Sequence, residues 1–147
     1  MIGYGKLRLI PVLFFLLILF SGCSVKETVK SKSDEEILRD RVTEYWGYKI
    51  EEKFDKSYEF EYPVYRKNVS MSNYFRGFRP SMKWTKAEVQ TIEMKDDAAE
   101  VTVKVDIKVD MVVPRIPKPV QHENKGIELR ERWVKIDGLW YHVPKQR

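Results

Sequence analysis

The sequence predicts an α+β domain behind an N-terminal export segment, and three stretches carry that reading. Residues 1–23 run from basic to apolar to small and end on the only cysteine. Residues 33–54 repeat apolar side chains at helical spacing, and residues 101–111 alternate apolar with polar. The whole chain has 147 residues and a formal charge of +5.

Lys6 and Arg8 form a short basic region, and Leu9 to Phe20 is apolar except for Pro11. This is the order of a signal peptide. The apolar run is shorter than the roughly 20 residues that span a bilayer core comfortably. Leu19-Phe20-Ser21-Gly22-Cys23 then resembles the lipobox of bacterial lipoproteins, with Phe20 where that family prefers Leu. The resemblance implies cleavage before Cys23, diacylglycerol on its sulfur and an acyl group on its amine. It also implies a cell-envelope location, and Ser24, in place of aspartate, implies the outer membrane in a Gram-negative cell. An ordinary signal peptide or short anchor with an incidental Cys23 is the alternative.

Removing residues 1–22 leaves 125 residues, enough for one domain with its own core. The charge falls from +5 to +3 as Lys6 and Arg8 leave. That mild surplus, in an exported chain, gives no argument for nucleic acid. With Cys23 consumed no disulfide can form, so packing alone must hold the fold. Residues 24–32 are polar and aperiodic and read as a flexible tether. Nine residues reach at most ~30 Å. The domains are therefore 1–22 signal, 23–32 lipidated cysteine and tether, and 33–147 a single α+β domain.

Ser33 and Glu36 make a capping box, and Asp34 and Glu35 suit the positive end of a helix. Ile37, Leu38, Val42, Tyr45, Trp46, Lys49, Ile50 and Phe54 follow on one stripe, giving a long helix from Asp34 to about Lys53. A short helix over Asp55–Glu61 is stopped by Pro63. Another starts at Ser72 and runs to Phe75. Between 62 and 87 stand Arg66, Lys67, Arg76, Arg79, Lys83 and Lys86, with no acidic residue and six interleaved aromatics. This stretch is either a surface for anionic headgroups or an acidic partner, or a core with solvated cations.

Trp84 to Met94 reads as a strand, 95–97 as a turn, and Val101 to Met111 as a strand with one charged face. Three prolines between 114 and 119 exclude a central strand there. Asp137-Gly138 predicts a two-residue hairpin. Its register sets Ile136 opposite Leu139, Val134 opposite Tyr141 and Arg132 opposite Val143, on the face expected to meet the core. Glu131, Trp133, Lys135, Trp140 and His142 fall on the other face. The two tryptophans there need a cover: a pocket, a homodimer interface or lysine stems.

This order of elements, ending in the strand-Asp137-Gly138-strand hairpin, resembles the nuclear transport factor two-like (SnoaL-like, cystatin-like) superfamily. The resemblance implies a cone: a curved antiparallel sheet wrapped round the long helix. It also implies an apolar cavity, in which the family's enzymes place a carboxylate base. No motif pairs His122 or His142 with a carboxylate, and Asp106 and Asp110 fall on a charged face. No metal spacing, phosphate loop or nucleophile triad is present, so neither metal nor cofactor is expected. The expected function is a non-catalytic binding or interaction module, anchored to the membrane through Cys23. Its partner is a small apolar ligand or an envelope protein. Tyr45 and Trp46 are the candidates for a pocket, and Trp133, Trp140 and Arg115 for a face. The alternative is an envelope enzyme acting on a small apolar substrate inside the cone.

Overall fold

The structure is a computed structural model and describes residues 31–145. The expected signal, Cys23 and the tether up to residue 30 lie outside them. Four helices precede one antiparallel sheet: α1 (Asp34–Ile50), α2 (Phe54–Tyr58), α3 (Pro63–Asn68), α4 (Met71–Phe75), β1 (Met82–Lys95), β2 (Ala98–Met111), β3 (Val120–Ile136) and β4 (Leu139–Val143). The strands pair in chain order, as a meander.

Helix α1 opens on the capping box: the Glu36 amide donates to the Ser33 hydroxyl, and the Ser33 amide to the Glu36 carboxylate. It closes three residues before the expected end. The Lys53 amide donates to the Tyr48 carbonyl and the Glu52 amide to that of Lys49, with Glu52 left-handed at φ 58°. Leu38, Val42, Tyr45 and Trp46 are buried, whereas Ile37, expected on the same stripe, is 40% exposed. Pro63 does not merely stop a helix. It occupies the first turn of α3, where its missing amide costs nothing. The last short helix is capped by Ser70 rather than Ser72.

Both hairpin turns follow the sequence. Asp137 and Gly138 have φ 50° and 81°, and the pairs Ile136–Leu139, Val134–Tyr141 and Arg132–Val143 form in the predicted register. The facing is inverted. Trp133 and Trp140 are fully buried and Glu131 nearly so, while Arg132 and Leu139 are exposed. The reason is α1. It lies on the tryptophan side, where Tyr45 packs on Trp133 and the Trp46 indole donates to Glu131. In β2, Val101, Val103 and Val105 are buried, but Met111 at the far end is 42% exposed. The β2–β3 hairpin thus outruns the helix layer. A bulge between Val105 and Ile107 bends it where Gly126, at φ 71°, donates its amide to Asp106.

Candidate functional site

The helix-covered face of the sheet holds a polar network inside an aromatic shell. From α1, the Tyr45 hydroxyl donates to Glu61 Oε1 at 2.8 Å. His142 Nδ1, from β4, stands 2.7 Å from Glu61 Oε2 and 3.2 Å from the same tyrosine oxygen. A parallel bridge fixes Glu61 there: the Tyr62 amide donates to the His142 carbonyl, and the His142 amide to that of Phe60. Glu131, from β3, accepts from the indoles of Trp46 and Trp133, both at 3.3 Å, and lies 3.9 Å from His142 Nε2. Above them the Lys49 ammonium sits 4.2 Å from the Tyr45 ring and 4.5 Å from Trp46.

Burial governs these groups. It pushes the Lys49 ammonium below its ordinary value, against the pull of Glu131 and Glu61. It pushes the Tyr45 hydroxyl well above its ordinary value, and the carboxylate of Glu61 pushes it further. Tyr74, bonded to Ser57, rises for the same two reasons, burial first. A carboxylate, an imidazole and a phenol on shared hydrogen bonds can hold and pass a proton. Here all the partners are internal, and the His142 side chain is only 13% exposed. Among the described residues no group of three or more His, Cys, Asp or Glu could hold a metal ion.

Tyr45, Trp46, Trp133 and Trp140 are thus brought together, as core. Tyr45 meets Trp133 edge-on at 5.5 Å. Trp133 and Trp140, expected on an open face, are fully buried instead. Arg115 is not among them. It lies in the exposed loop after β2, at φ 71°. Trp133 pairs with Ala99 at the other end of that strand, twelve residues and roughly 40 Å away. Cys23 lies outside the described residues. Sequence reading did not identify Glu61 and Glu131 as site residues. Glu61 meets His142 across 81 positions, which no local pattern encodes.

The surface carries a second feature. Glu52, Phe54, Phe75, Phe78, Arg79 and Lys83 line an open groove of about 370 Å³, with Pro80 and Met82. Phe54 and Phe78 stack at 4.0 Å, and Phe75 beside them is 40% exposed. Lys83 pairs with Glu52 at 2.7 Å. Arg76 reaches only the Asn73 amide oxygen, and neither it nor Arg79 has a carboxylate partner among the described residues. The acid-free stretch 62–87 therefore supplies both a core residue, Tyr74, and a cationic apolar surface.

No family model and no curated protein matches the chain. Among solved structures, it is similar to a SEC-C motif containing protein from Rhodopseudomonas palustris. The two are 18% identical over 76% of each chain, with a TM-score of 0.47, too slight a likeness to carry a function across. Among the described residues no helix is long and apolar enough to cross a membrane.

Proposed function

We propose that the chain is an envelope lipoprotein, anchored through Cys23, whose folded domain is a non-catalytic interaction module. The anchor rests on the grammar of residues 1–23. One observation carries the second half. Tyr45, Trp46, Phe60, Trp133 and Trp140 fill the space between α1 and the sheet. In a cone of the nuclear transport factor two-like kind, a small apolar ligand would lie there. The cone itself belongs to this proposal, supported by the 17-residue α1 against one sheet face and by bulges in β1 and β3 that curve a sheet. With the interior occupied by the protein's own side chains, recognition falls to the surface.

The alternative is an enzyme acting on a small apolar substrate, and the 2.7 Å contact between His142 and Glu61 favours it. Against it stand the internal partners of both groups. Membrane fractionation of the full chain and Cys23→Ala tests the anchor: the wild type stays with the membrane and the variant is released. Photo-cross-linking from position 75 tests the module: a discrete protein or phospholipid adduct supports it, and unmodified chain counts against it.

A further inference from the structure

The groove lined by Phe54, Phe75 and Phe78 lies at one end of the domain. Helix α1 begins beside the β3–β4 turn, where Asp34 pairs with Lys135 at 2.8 Å. It ends beside the groove, where Glu52 pairs with Lys83. Seventeen residues at 1.5 Å each separate the two ends by about 25 Å. Residues 24–33, by contour length, reach at most ~36 Å. A chain fixed at Cys23 can therefore bring the far end of α1 to the surface that holds it.

The chemistry of that end is selective. Exposed Phe75 and half-buried Phe54 and Phe78 offer apolar surface. Arg76 and Arg79 stand at the same end without carboxylate partners among the described residues, and Lys67 on α3 is likewise unpaired. The tether cannot neutralise them, since Lys26, Lys30 and Lys32 outnumber Glu27. Unpaired cations around aromatic side chains match a bilayer interface, where the rings enter the headgroup level and the cations meet lipid phosphates.

We infer that the Phe54–Phe75–Phe78 groove, with Arg76 and Arg79, docks on an anionic lipid surface and lays the domain on its own membrane. The inference rests on the anchored reading for its choice of a bilayer over an acidic protein.

Hydrogen exchange on the full chain reconstituted in vesicles tests it. Amides 71–83 are expected to exchange at least fivefold more slowly in phosphatidylglycerol–phosphatidylethanolamine vesicles than in phosphatidylcholine vesicles. Amides 101–105, in the core, should not change. The difference should disappear in 1 M salt, where the screening length falls to about 3 Å. It should also disappear in the Arg76→Gln/Arg79→Gln variant, whose substitutions are both exposed. Equal exchange in the two vesicles overturns the inference. So does slowing that grows with protein concentration in either lipid, which would assign the groove to a second copy. Retention of the chain on the same vesicles through an alkaline wash reads the anchor separately, so its failure is distinguishable from failure of the groove.

Discussion

Glu61 and His142 meet at 2.7 Å across 81 positions of the chain, and that contact ties α2, α3 and the last strand to the core. Glu61 is 1% exposed, and its carboxyl group is held by the Tyr45 hydroxyl and His142 Nδ1 in place of water. Breaking a buried pair by removing one partner costs about 3–5 kcal/mol. Glu61→Ala and His142→Ala should each lose about that much in urea unfolding. The double variant should lose clearly less than the two losses together.

The two buried tryptophans should respond differently to trimming. The Trp133 indole donates to Glu131, whereas Trp140 Nε1 is buried with no hydrogen-bond partner. Phenylalanine leaves a similar void at each site. At 133 it also takes a donor from a buried carboxylate, and at 140 it removes an unsatisfied one. Trp133→Phe should therefore be the more destabilising by about 1–2 kcal/mol, read as a difference in urea midpoints.

Stability should fall at alkaline pH. Tyr45 and Tyr74 both titrate above the ordinary 10.0, because burial and Glu61 disfavour the phenolate. The unfolded chain releases these protons as pH passes 10 while the folded chain keeps them. Their contribution is complete below pH 10 and is lost above it. Lys49 acts in the opposite sense: its folded value lies below 10.5, so the cost of burying its charge fades as pH rises toward that value. The Lys49 gain is complete once pH passes 10.5, whereas the tyrosines go on losing stability above it, and the urea midpoint should drop between pH 10.5 and 11.5. Tyr74→Phe should make that drop shallower.

What the sequence made legible was local. Ser33 with Glu36 announces a helix start, and Asp137-Gly138 announces a turn whose register follows without further information. Which face of that hairpin turns inward is not local. Between 131 and 136 one side reads Arg-Val-Ile and the other Glu-Trp-Lys. Counting apolar residues selects the first side, while the area under α1 selects the second. Glu131 looks wrong for a core until the indoles of Trp46 and Trp133 are seen to need its carboxylate. A charged residue two positions from a tryptophan on one strand face was the signal available. Glu61 had none, because its partner comes from the far end of the chain. The basic, aromatic stretch 62–87 stood out from composition alone, but only the fold separates Tyr74, which is buried, from Phe75, which is exposed.

The central claim is a lipid-held domain with a closed interior. Native mass spectrometry of the chain extracted from the envelope tests both parts at once. The predicted mass is that of residues 23–147 plus a diacylglyceryl group on the Cys23 sulfur and an acyl group on its amine, and nothing more. A reproducible additional mass that leaves on unfolding, or an N-terminus without lipid, would contradict it.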